Sequence, residues 1–110
     1  MMLVKNLAEK LNLKILSAET GLDRVVEGGY TGDLLSWVMS HASKGNAWIT
    51  VQIHPNIVAV AVLLELSCII IPEDIAVEQL TIDKANSEGI PVLQSSDHAF
   101  DLCWKIKNLE

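Results

Sequence analysis

The residues best equipped to engage a ligand fall in three short stretches: Gln52, His54 and Asn56; then Pro72, Glu73 and Asp74; then Ser95, Ser96, Asp97 and His98. Each stretch follows a β-rich run and precedes a helical pattern. At such junctions the free backbone N–H groups of a helix's first turn and the helix dipole favour negative charge. Open α/β sheets also gather ligands outside the carboxyl ends of their strands. The chemistry that suits this placement is binding of a small anion, such as a nucleotide or a phosphorylated metabolite. Ordinary helix capping uses the same residue types. Tyr30 and Thr31, in Gly28-Gly29-Tyr30-Thr31-Gly32-Asp33, are further candidates. This segment lacks the lysine followed by Ser or Thr of a nucleotide-hydrolysing P-loop, and also the glycine spacing of a dinucleotide fingerprint. A loop that uses glycine's backbone freedom accounts for it equally well.

Catalysis finds less support. His54 could carry a proton or contact a ligand, or bond to local backbone, and His41 and His98 carry less signal. No nucleophile, base and acid assemble from the sequence, so no catalytic residue is expected. Cys68 and Cys103 lie far apart in apolar stretches, where free cysteine acts as a small buried hydrophobe. No cysteine–histidine spacing suggests zinc. Neither a metal nor a cofactor is expected.

The elements that position these residues follow from periodicity. Leu3, Val4, Leu7, Ala8 and Leu11 recur at helical spacing, ending near Asn12. Residues 13–16 and 24–27 read as short strands and 28–33 as a loop. Thr31 or Asp33 would cap a helix striped by Leu34, Leu35, Val38, Met39 and Ala42, with Gly45 as a left-handed residue beyond its end. Residues 47–53 are rich in β-formers, and Pro55 suits a first helical turn. Residues 57–64 are apolar on every side, the pattern of a helix buried on most of its surface, preferred to a strand because a continuous strand over 47–71 would be too long. Residues 68–71 form a short β-branched run typical of a buried parallel strand. A helix over 75–88, facing inward through Val77, Leu80 and Ala85, ends at Gly89. A strand over 90–94 and a last helix striped by Ala99, Leu102, Cys103, Ile106 and Leu109 complete the chain. Alternating strands and helices predict an α/β fold, a small three-layer α/β/α domain with a mostly parallel sheet.

Three aromatics, Trp37, Phe100 and Trp104, fall off their helical stripes. Exposed aromatic area marks contact surfaces, which predicts a homodimer. Alternatively these residues wrap the edge of the core.

The 110 residues suit one domain, spanning 1–110. A net charge of −6 without a basic run argues against nucleic acid and anionic membranes as partners. Lys5, Glu9 and Lys10 interrupt the N-terminal apolar residues, so no signal peptide is expected. Residues 57–71 contain Glu65 and Ser67 and fall short of the roughly 20 residues of a spanning helix. Cytoplasmic residence is therefore expected.

The run Trp48-Ile49-Thr50-Val51-Gln52-Ile53-His54-Pro55-Asn56-Ile57-Val58-Ala59-Val60-Ala61 resembles the DRTGG domain family, as does Gly29-Tyr30-Thr31-Gly32-Asp33-Leu34-Leu35-Ser36. Cys68-Ile69-Ile70-Ile71 and Gly89-Ile90-Pro91-Val92-Leu93, followed by Ser95-Ser96, look like the related N-terminal domain of HPr kinase/phosphorylase. The resemblance spans nearly the whole chain and rests on the order and spacing of these segments. It implies a non-catalytic regulatory or sensor module of the kind that accompanies phosphate acetyltransferases, nucleotide-binding CBS domains and a kinase domain; the off-stripe aromatics Trp37, Phe100 and Trp104 offer the alternative of a module that docks a partner enzyme or kinase. The kinase domain with its phosphate-binding loop has no counterpart in these residues, so kinase activity is not implied. Where the family shows Asp-Arg before its central helix this chain has His54-Pro55-Asn56, and where Thr-Gly-Gly follows the next strand it has Pro72-Glu73-Asp74.

Overall fold

Strand β6 (Cys68–Ile71) lies at the middle of the sheet, and every one of its residues is buried. In the computed structural model, which describes residues 1–17 and 19–109, five strands pair in the order β2 (Lys14–Ile15), β7 (Val92–Gln94), β6, β5 (Asn46–Ile49) and β4 (Gly28–Thr31). Ala18 and Glu110, the other members of the domain expected over 1–110, lie outside the described residues. Strands β4, β5, β6 and β7 run parallel, and β2 joins β7 antiparallel. Strand β1 (Met2–Leu3) pairs with β3 (Val25–Val26) as a separate antiparallel ribbon.

Helices α2 (Leu35–His41), α3 (Asn56–Leu64) and α4 (Gln79–Glu88) connect the parallel strands in turn. Each joins a strand to its immediate neighbour in the same direction, so right-handed crossovers place all three on one face. Alternation along the strands feeds that face with Trp48, Ile69, Ile71 and Val92, packed against Val38, Ile57, Val58, Val60, Ala61 and Ala85. The opposite face receives Ala47, Ile49, Cys68, Ile70 and Leu93. There they meet Val4, Leu7 and Ala8 of α1 (Val4–Lys10) and Leu102 of α5 (Ala99–Lys107). The result is the expected three-layer α/β/α fold with a mostly parallel sheet.

Several local expectations give way to tertiary context. The glycine-rich segment 28–33 is not all loop. Its first four residues form edge strand β4, because pairing with β5 needs only backbone groups, whatever the side-chain propensity. Strand β5 stops at Ile49, well short of residue 53. Thr50 N–H still donates to Ile70 O, but Val51 N–H turns to the Asp33 carboxylate. The helix expected from residue 75 starts at Gln79. Glu73 and Asp74 both adopt left-handed φ angles, 59° and 54°, and Gln94 Nε2 holds the Ile75 carbonyl in the loop. Ile75 and Val77 pack against the core from that loop, whereas Leu80 is 69% exposed.

In α2, Val38 is fully buried but Leu34 and Met39 are exposed, and no side chain caps the helix. Gly45 is left-handed at φ 83° but lies in the turn into β5, since the helix already ends at Ala42. Helix α3 is less enclosed than its composition predicts, with Leu63 65% exposed, and it ends at Glu65 in a left-handed cap. Gly89 closes α4 in the expected left-handed conformation.

Burial pushes the Cys68 thiol up from 9.0 to about 12, against a smaller lowering by Arg24. Between those values the unfolded chain loses this proton and the folded chain keeps it. The stability tied to Cys68 is therefore intact below pH 9.0 and lost as pH rises toward 12. Replacing Cys68 with Ala removes this dependence. In urea denaturation, the stability gap between wild type and Cys68→Ala should narrow by about 2 kcal/mol from pH 8 to about pH 10.5, at about 1.4 kcal/mol per unit.

Candidate functional site

The parallel strands end at Thr31, Ile49, Ile71 and Gln94, so the loops that follow them share one edge of the sheet. Asp33 ties two of these loops together. Its Oδ1 accepts from Thr50 Oγ1 at 2.8 Å and from Val51 N–H at 2.9 Å. Gln52 Nε2 donates back to the Asp33 carbonyl at 2.9 Å, and the Gln52 N–H donates to Thr50 Oγ1 at 3.2 Å. Below this group, the fully buried Trp48 donates from Nε1 to the Gly32 carbonyl at 2.9 Å. Thr81 Oγ1 reaches from α4 to the Ile53 carbonyl at 2.6 Å and fixes the other end of the loop. Asp33 and Thr50 are thus central to an edge for which the sequence supplied them only as a cap and a strand residue.

His54 is exposed, and its Nδ1 accepts from the Asn56 N–H at 3.2 Å. The next donors of α3 are also turned inward, Ile57 N–H to the His54 carbonyl and Val58 N–H to the Pro55 carbonyl. Asn56 is the exposed first residue of α3. On the neighbouring loop, Ser95 is buried. Its N–H donates to Ile71 O, its carbonyl accepts from Asp74 N–H, and its Oγ accepts from Asp97 N–H. Ser96 is exposed, and Asp97 binds Lys105 Nζ at 2.8 Å. No side chain caps α4 or α5, and the His54 ring takes the first donor of α3. The small polar residues of this edge therefore spend their hydrogen bonds joining loops rather than closing helix starts.

Tyr30 and Thr31 close edge strand β4 and face opposite sides of the sheet. Tyr30 packs half-buried against the Trp48 face. Thr31 lines a 290 Å³ cavity under α5. The groove beside that cavity is walled by Phe100 and Trp104, which are 85% and 65% exposed. On the other face of the sheet Trp37 is 55% exposed and stacks on the His41 ring at 3.9 Å. Among the described residues, no helix is long and apolar enough to cross a membrane.

No family model matches the chain, nor does any curated protein. Among solved structures it is similar to the CBS and DRTGG domains of the regulatory region of Clostridium perfringens pyrophosphatase, determined with the activator diadenosine tetraphosphate. The TM-score is 0.68 at 16% sequence identity, covering 90% of this chain and 43% of that one. This chain thus spans less than half the length of the solved chain it matches. The likeness is one of fold, and it agrees with the DRTGG-like architecture expected from residues 29–36 and 48–61.

Asp33 gives the edge a direct test. Asp33→Ala leaves the buried Thr50 hydroxyl and the Val51 N–H without their acceptor, which should cost about 1–2 kcal/mol. Asp33→Asn keeps an oxygen in place and should cost less than half as much. Urea denaturation of the two variants separates these outcomes.

Proposed function

We propose that this chain is a non-catalytic regulatory or sensor domain of the cytoplasm that binds a small anionic ligand, a nucleotide or a phosphorylated metabolite, at the carboxyl edge of its sheet. The observation that carries the reading is the set of helix starts. Helices α3, α4 and α5 begin at this edge, α4 and α5 without a side-chain cap, and uncapped helix N-termini favour anions. Gln52, His54, Asn56, Ser95 and Ser96 border these starts, and Tyr30 and Thr31 stand at the end of β4. The likeness to a regulatory region determined with a dinucleotide activator supports the same class of role.

Titration with ATP, AMP, diadenosine tetraphosphate and inorganic phosphate, followed by backbone amide NMR, tests this reading. A cognate ligand should shift the amides of 52–57 and 95–100 saturably, and at 100 times its Kd should add about 2.7 kcal/mol of stability. An unchanged spectrum across the panel sinks the ligand reading.

A second reading is favoured by Trp37, Phe100 and Trp104, each more than half exposed on the two helices that flank edge strand β4. Large exposed aromatics supply the anchors of protein interfaces. In this reading the domain associates with a second copy or docks a partner enzyme or kinase. Trp104→Ala should then weaken self-association by about 2 kcal/mol or more in sedimentation equilibrium, while the stability of the monomer changes by less than about 1 kcal/mol. A large loss of stability with unchanged association would make Trp104 a packing residue.

A further inference from the structure

The cavity beneath α5 shares Tyr30 and Thr31 with the residues named above, but its lining includes none of residues 52–57 or 95–100. Its floor is edge strand β4, its back wall is Leu7 of α1 and Met2 of β1, and its roof is Cys103, Ile106 and Lys107 of α5. The volume is 290 Å³. An apolar cavity of about 150 Å³ accommodates benzene, so this one has room for an aromatic ring and a short arm.

Gly29 keeps the space open. By its register with Ala47 it faces the α1/α5 layer, and a Cβ added there would meet only the Ala47 carbonyl oxygen, at 3.5 Å. Any larger side chain would grow into the cavity. An unfilled apolar void forfeits the packing that a β-branched residue at this strand position would supply.

Two polar groups stand at the mouth. Thr31 and Lys107 are exposed and line both the cavity and the adjoining groove. Lys107 makes no ion pair with another described residue, whereas Lys5, Lys44 and Lys105 each have one. Glu27 also lines the cavity, and its carboxylate is laid over Gly45, where it would collide with a Cβ on that residue. Strand β4 is the outer strand of the sheet, so its alternate N–H and C=O groups are free for a ligand.

The geometry points to a binding site for a small apolar carboxylate, its hydrocarbon body in the cavity over Gly29 and its charged end between Lys107 and Thr31. Gly29 acts as the gatekeeper of volume and Lys107 as the selector of charge. The body gains the transfer free energy of leaving water, and the carboxylate gains a hydrogen-bonded cation at the rim.

The probe pair is 3-phenylpropionate and 3-phenylpropan-1-ol, equal in shape and different in charge. Backbone amide NMR of the full chain should show saturable shifts at 28–31 and 103–107 with the acid. Lys107→Gln should weaken the acid by about fivefold and leave the alcohol unchanged. Gly29→Val should abolish binding of both. Because Gly29→Val could disturb the strand, alkylation of wild-type protein by iodoacetamide provides a second readout. Cys68 is fully buried and Cys103 only partly, so Cys103 is the thiol that reacts, and the bound acid should slow it about tenfold. The proposal fails if the acid gives no saturable shift at these residues, if the alcohol binds as tightly as the acid, if a folded Gly29→Val binds unchanged, or if saturating acid leaves Cys103 alkylation at its original rate.

Discussion

Everything in this chain is arranged around a strand that has no exposed side. Ile69 and Ile70 are paired with a strand on each flank, Cys68 with β5 and Ile71 with β7, and a helical layer covers each face. A strand so enclosed must be apolar at every position, and it can be enclosed only if both layers are present. The two cores therefore depend on one another through four residues. Ile69 and Ile71 anchor the α2/α3/α4 layer, and Cys68 and Ile70 anchor the α1/α5 layer.

That constraint explains why the parts of the fold were unequally legible in the sequence. The β6 strand, the α3 helix and the last helix carry strong apolar patterns, and the structure has them close to where periodicity puts them. Strands β1 and β4 carry no such pattern. Leu3 reads as part of a helix, and Gly28 to Thr31 as a loop, because their strand character comes from partners at Val25 and Asn46–Ile49. The exposed aromatics were readable from their angle on the helical wheel. The role of Asp33 was not: a carboxylate just before a helix looks like a cap, and only the fold brings it beside Thr50 and Val51.

The edge of the sheet and the space under α5 solve different physical problems. At the edge, Asp33, Gln52, Thr81 and Ser95 hold loop to loop, so a ligand arriving there would meet a largely preformed surface, which lowers the ordering cost of binding. Under α5 the fold leaves volume unfilled. The left-handed Glu73 and Asp74 belong to the first kind of construction. Their N–H groups donate to the Asp97 and Ser95 carbonyls, which lock the loop after β6 to the loop after β7.

The pairing of β2 with β7 bears on how such a chain is made. Leu16 N–H donates to the Val92 carbonyl, and Ser17 Oγ bridges Ile90 and Val92 across 73 and 75 residues of sequence. During synthesis, β2 is thus made long before the strand it pairs with. Until residues near 94 have been made, β2 has no strand to join, although α1 can already pack on Ala47, Ile49, Cys68 and Ile70. Residues 14–17 thus act as a clasp that can fasten only once residues 90–94 are in place.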